Sequence, residues 1–301
     1  MELKEYQKKV LNSLNTYLDS LNEYKDKYYR ALEVDPDIER GYDYNEQAWQ
    51  KAIGSIHQSH RNRINELVPE FYIKVPTGGG KTFLACHAID LINKKFLNKQ
   101  TGLILWIVPT TQIYRQTLIN LRNREHPYRQ MLDISSGGRT VIKEKMDYFN
   151  RLDVEENLVI MLLMLQSSNR QNKETLKVFQ DSGSFTDFFP PEDAYKENEE
   201  ILKNIPNLDR FSDEGGVFET LIKTSLGNTL KILKPLIIID EGHKAYSEGA
   251  RSTIRNFNPS VVLELSATPP PDANKLVEIY GTELNEEEMI KLDIHLINKK
   301  S

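Results

Sequence analysis

Residues 75–82 read Val-Pro-Thr-Gly-Gly-Gly-Lys-Thr, and residues 236–243 read Leu-Ile-Ile-Ile-Asp-Glu-Gly-His. In the first stretch, glycines let backbone N–H groups turn inward around an anion, a lysine adds mobile charge, and a hydroxyl stands ready for a magnesium shell. Thr77, Gly78, Gly79, Gly80, Lys81 and Thr82 are therefore candidate ligands of nucleotide phosphates, with Thr82 also a candidate metal ligand. The general pattern opens on glycine, whereas this one opens on Val75, so the context decides. Residues 71–75 are a short β-rich apolar run, and Leu84, Ala88 and Leu91 recur at helical spacing, so the loop joins a strand to a helix. A plain glycine turn between two core elements is the alternative. The Gly-Lys-Thr ending at a helix start, where the dipole already favours anions, argues against it.

The second stretch sets two carboxylates at the carboxyl end of an apolar strand, which is where open α/β sheets bind ligands. Asp240 can hold magnesium through its water shell, and Glu241 can orient and deprotonate an attacking water. Adjacent acids at a strand end also serve as turn formers; the glycine loop upstream favours chemistry. His243, two residues after the expected base, joins Lys81, Asp240 and Glu241 as a catalytic candidate that senses the nucleotide. His57 and His60 have no thiol or carboxylate cluster beside them and read as ordinary helix residues.

Working outward, Val10, Leu14, Tyr17, Leu21, Tyr24 and Tyr28 form one apolar seam on a long helix that Asp35-Pro36 ends. Such a seam could pair with a partner helix, but packing on the chain's own core is the better reading. A second helical stretch covers 46–56. Strands are expected at 71–75, 103–108, 131–134, 158–163, 236–239 and 261–265, near-continuous apolar runs of the kind that are buried on both faces. The fold class is α/β, a parallel sheet flanked by helices. Residues 1–40 form a helical extension, residues 41–301 the nucleotide-binding lobe, and the loosely patterned 166–234 an insertion before the acidic pair, partly mobile or a docking surface.

The 301 residues, 39% apolar and 28% charged, describe a globular chain, and a net charge of −5 restricts any nucleic-acid contact to a local basic stripe or backbone amides. A single cysteine, Cys86, excludes an internal disulfide framework and fits the reducing cytoplasm. The greasiest run, 158–165, is too short to span a bilayer, so no membrane role is expected.

With the loop at 75–82, the box Asp240-Glu241-Gly242-His243 and Ser266-Ala267-Thr268 at the end of a following strand, the chain from about residue 44 resembles the first RecA-like lobe of superfamily 2 helicases and translocases, the DEAD/DEAH-like group with P-loop NTPase folds. That resemblance implies ATP and Mg2+ as ligands, Thr82 and Asp240 at the metal, and Ser266 and Thr268 as the coupling motif. It also implies Gln50 as the glutamine that reads adenine, with an exposed helical glutamine as the alternative. Pro109, Thr110, Thr111 and Gln112, then Gly137, Gly138 and Arg139, and Gln166 and Ser167, fall where the family touches nucleic-acid backbone. Arg115, Arg122, Arg124 and Arg129 extend a phosphate track or simply face solvent. Within the superfamily, 236–246, 258–270 and 287–292 are similar to the Res motor subunit of type III restriction endonucleases. This narrower likeness implies duplex DNA as partner, a modification (methyltransferase) subunit alongside, and a second RecA-like lobe and a nuclease that this chain does not contain. A helicase outside restriction, or a nucleotide-gated scaffold without turnover, are the other functions compatible with the motifs.

Overall fold

The computed structural model describes residues 2–35, 37–38, 41–164, 183–211, 221–242 and 248–289. A seven-stranded sheet lies at its centre, in the order β3-β4-β2-β5-β6-β1-β7, with every neighbouring pair parallel. The strands are β1 (Glu70–Lys74), β2 (Gly102–Val108), β3 (Thr140–Glu144), β4 (Leu158–Met164), β5 (Leu236–Asp240), β6 (Val261–Ser266) and β7 (Lys275–Glu278).

Both faces are dry because alternate residues of each central strand serve different cores. Ile104, Trp106 and Val108 of β2 enter one cluster, and Leu103, Leu105 and Ile107 enter the other. Helices α1 (Glu5–Val34), α2 (Tyr44–Ala52), α3 (Lys81–Ile92), α4 (Thr111–Arg122) and α5 (Pro127–Ser136) supply the first cluster. The α1 seam packs inward: Val10, Leu14, Tyr17 and Leu21 are fully buried, and Tyr17 meets the edges of Trp49 and Phe71 at centroid distances of 5.2 and 5.3 Å. On the other face lie α6 (Arg151–Glu156), α7 (Tyr195–Asn204), α8 (Leu226–Leu233) and α9 (Glu248–Asn256). The short α10 (Gly281–Glu286) follows β7. Among the described residues no helix is long and apolar enough to cross a membrane.

Two expectations are corrected. Residues 131–134 are not a strand but part of α5. Pro127 starts that helix, Gly137 closes it in the left-handed conformation, and Arg129, Leu132 and Ser136 are buried at helical spacing. His57 and His60 lie in the connection before β1, not on a helix. The described part of 166–234 packs on the lobe, with Phe185, Phe188, Leu208, Ile222, Leu226 and Leu230 buried in the second cluster.

That second face also holds a buried carboxylate. Glu264 of β6 is 2% exposed and stands opposite Tyr72 of β1; Arg251 of α9 donates to the Tyr72 hydroxyl at 2.6 Å and lies 3.8 Å from Glu264 and 3.7 Å from Glu70. Burial pushes the Glu264 carboxyl up from 4.5 to about 7, against the pull of Arg251. A carboxyl raised on folding favours the folded state fully below its unfolded value and loses that contribution as pH climbs through about 7, here at most about 3 kcal/mol. The thermal midpoint of Glu264→Gln relative to wild type is therefore expected to move upward as pH goes from 5 to 8. A difference that stays flat with pH contradicts a shifted Glu264.

Candidate nucleotide site

Because β2, β5, β6 and β1 are adjacent and parallel, their carboxyl ends share one rim. Thr110 follows β2, Asp240 ends β5, Ser266 ends β6, and the glycine loop leaves β1. The strand ends are stitched together: Val75 N–H donates to Ser266 O at 3.0 Å, and Glu241 N–H to Leu265 O at 2.9 Å.

Two contacts across this rim join the two motifs. Thr82 Oγ1 donates to Asp240 Oδ2 at 3.0 Å, and Lys81 Nζ lies 2.7 Å from Glu241 Oε1. Lys81 also donates to Val75 O at 3.3 Å and Pro76 O at 3.2 Å, so its ammonium is held at the centre of the loop. Burial raises the Asp240 carboxyl to about 6, opposed by the Thr82 hydrogen bond and Lys81 and assisted by the charge of Glu241. Glu241 has φ of +59°, the left-handed region that a non-glycine residue enters only when its surroundings hold it there. That turn brings its side chain back over Lys81.

Two glycines of the loop have visible reasons. A Cβ on Gly79 would stand 2.5 Å from Val75 Cγ1 and 3.0 Å from Leu284 Cδ2. Gly80 caps α3 with φ of +66°, and a Cβ there would meet Gln7 Nε2 at 2.9 Å. The loop is thus packed from behind by α1 and α10 and opens at the start of α3, whose first-turn N–H groups suit an anion.

Side chains that the sequence reading passed over sit here. Tyr6 OH donates to Gly79 O at 3.0 Å, and the fully buried Gln7 lies against both Tyr6 and Gly80. Gln50, by contrast, is exposed and donates to Ser55 O at 2.7 Å. Its neighbour Lys51 pairs with Glu23, 16 residues beyond Gln7 on α1 and so roughly 24 Å along the helix. The structure thus places Gln7 of α1, not Gln50 of α2, against the loop. A glutamine at the third position of a helix, where its Oε1 accepts from Lys4 N–H at 3.0 Å, was a readable start signal.

Ser266 is buried at the rim, with its Oγ accepting from Thr268 N–H at 3.3 Å, while Thr268 is exposed. Thr110 caps α4 through its hydroxyl, and Thr111 and Gln112 are exposed beside half-buried Pro109, on the same rim as the acids. Gly137, Gly138 and Arg139 do not join them. They precede β3, at the opposite end of the sheet, where Gly138 N–H donates to Asp133 O and Arg139 O accepts from Leu158 N–H. Of the arginines, Arg129 is buried against Asp133, Leu121 O and Thr140 O, and Arg122 pairs with Glu144; Arg115 and Arg124 are exposed. His243, Gln166 and Ser167 lie outside the described residues.

Among the described residues no group of three or more His, Cys, Asp or Glu side chains is arranged to hold a metal. One carboxylate, Asp240, with the Thr82 hydroxyl beside it, is instead the donor set that suits a magnesium ion sharing its shell with phosphate oxygens and water.

The family model of the type III restriction enzyme res subunit matches residues 1–271, so α1 lies inside the match. Among solved structures, a nuclease-deletion mutant of the Type ISP restriction-modification enzyme LlaGI in complex with a DNA substrate mimic is similar at 13% identity and a TM-score of 0.35. The alignment covers 82% of this chain and 20% of that one, so the chain spans about a fifth of that polypeptide. No curated protein matches. With a helix-flanked parallel sheet of the RecA-like kind and a family match over most of its length, the chain belongs to the type III restriction enzyme res subunit family and is a helicase-like motor domain.

Proposed function

We propose that this domain binds and hydrolyses ATP to drive movement on DNA, as the first motor lobe of a type III-like restriction enzyme. The observation that carries the reading is the pairing of the two motifs: Lys81 on Glu241 and Thr82 on Asp240, four side chains from two distant segments converging at one helix start. A bound magnesium ion would neutralise charge on the phosphates and bridge them to the protein. Thr82 and Asp240 would hold it. Lys81 would turn from Glu241 to the incoming phosphate oxygens, leaving the Glu241 carboxylate to accept a proton from the water that attacks the terminal phosphorus as ADP leaves. Ser266, hydrogen-bonded through its backbone to Val75, would pass changes in the loop to the β6 end. Pro109, Thr110, Thr111 and Gln112 would meet DNA backbone from the same rim, without reading sequence.

The experiment is the ATPase rate of the intact protein, alone and with duplex DNA. Stimulation by duplex DNA is expected; stimulation by single-stranded RNA alone overturns the restriction reading. A modification subunit as partner belongs to the same proposal and is tested by co-purification. Gln7 and Tyr6 back the loop and are proposed to position the base. Gln7→Ala is expected to reduce the preference for ATP over GTP by about tenfold, roughly one to two hydrogen bonds' worth, while Gln50→Ala leaves it unchanged. An unchanged preference in Gln7→Ala, measured by competition binding, rules Gln7 out.

A further inference from the structure

The opposite rim of the sheet, at the amino ends of β1, β5 and β6, contains a cavity of about 370 Å3 that the motor reading does not use. It lies between α1, the segment 61–67 before β1, the turn after α3, and residues 234 and 259–260. Its volume falls in the range of small-ligand sites, and the sheet separates it from the acids of the motor site.

The chemistry of its walls is uneven. Three cations, Lys25, Arg61 and Lys234, line it with a single acid, Glu66, and Glu66 is taken by Lys234 at 2.5 Å. Arg61 donates to the backbone carbonyl of Asn65 at 2.6 Å, and among the described residues neither Arg61 nor Lys25 has a carboxylate within ion-pair distance. Lys25 instead stands with Nζ 4.4 Å from the centroid of the Phe96 ring. Burial lowers its pKa by more than the charge of nearby Asp26 raises it. The apolar part of the lining combines four rings, Tyr28, Tyr29, Tyr44 and Phe96, with the aliphatic Leu32, Ile64, Leu67, Leu97 and Pro259. Surplus positive charge next to ring faces is what a base with its phosphate needs: the rings accept the base by stacking and the cations accept the phosphate. An aliphatic acid would leave the rings unused, and a neutral aromatic would leave the cations unanswered.

We infer that this cavity is a second nucleotide-unit site, separate from the motor site, taking a base and its phosphate through the aromatic wall and the Lys25 and Arg61 cations. The unit could be a free mononucleotide or one residue of a single strand, and the two sources share this chemistry. The test is calorimetric titration of the protein with thymidine 5′-monophosphate and, separately, with a short oligothymidylate. Saturable binding of at least one is expected. Lys25→Glu should weaken it at least about tenfold and Lys25→Gln less, at thermal midpoints close to wild type, because a carboxylate repels the phosphate and an amide merely fails to attract it. Lys81→Ala should leave it within about twofold, which separates this site from the loop at the other rim. Tighter binding of the monophosphate identifies a free nucleotide, and tighter binding of the oligomer identifies a strand. Absence of saturation with both probes at millimolar concentration, binding indifferent to Lys25→Glu, or binding lost in Lys81→Ala overturns the inference.

Discussion

Replacing Lys81 with alanine is expected to lower affinity for a fluorescent ATP analogue by at least about 100-fold, close to 3 kcal/mol. Lys81 is the one cation at the centre of the loop, fixed by Glu241 and by the carbonyls of Val75 and Pro76 at the start of α3. Without it, phosphates would face the buried carboxylates of Asp240 and Glu241 with only backbone N–H groups in compensation. The same change has a second signature in the free protein. Removing the cation from a buried pair costs up to about 3–5 kcal/mol because the remaining charge is uncompensated. Lys81 also holds the Asp240 carboxyl down, so its loss raises that group further above about 6. Carboxyls raised on folding favour the folded state at low pH, so the melting deficit of Lys81→Ala should be smaller at pH 5 than at pH 8. Affinity within about threefold of wild type would show that the loop does not hold the phosphates.

How much of this was readable depended on how many constraints each residue answered to. The central strands β1, β2, β4, β5 and β6 are buried on both faces, which forces near-continuous apolar runs even where β6 carries the buried Glu264, and each was legible to within a residue or two. The outermost strands were not. β3 reads Thr-Val-Ile-Lys-Glu with only Thr140 buried, and β7 reads Lys-Leu-Val-Glu. A strand with one neighbour needs charged residues on its free side, so its pattern resembles that of a loop. The short apolar run at 131–134 was more conspicuous and took the place of β3, which moved Gly137, Gly138 and Arg139 to the wrong end of the sheet. Glutamine 7 was lost for a related reason. The seam of α1 becomes apolar at Val10, and the first turn, which does the work at the loop, is polar. A contact such as Tyr6 OH on Gly79 O, 73 residues apart, has no periodicity to announce it. The aromatic residues of 185–189 were visible, but whether they close a sheet face or stand away from it depends on the other elements available to cover Leu103, Val159 and Ile237.

Glu241→Gln separates binding from turnover and has the largest expected effect on rate. Gln is nearly isosteric and keeps an oxygen for Lys81 Nζ, so the left-handed turn at residue 241 and the backbone bond to Leu265 O remain as they are. An amide cannot accept the proton of an attacking water. General-base assistance is worth roughly 100- to 10,000-fold, and DNA-stimulated turnover in the intact motor should fall by that factor. Nucleotide affinity should be retained or rise, because the carboxylate that competes with phosphate for Lys81 is gone. Asp240→Asn provides the contrast: it removes charge from the Thr82 hydroxyl's partner and should weaken binding with magnesium more than without it. A Glu241→Gln protein that turns over at the wild-type rate would move the base elsewhere. A variant that loses binding together with turnover would instead make Glu241 a structural partner of Lys81, with the pair at 2.7 Å serving to assemble the loop and leaving activation of the water to another group.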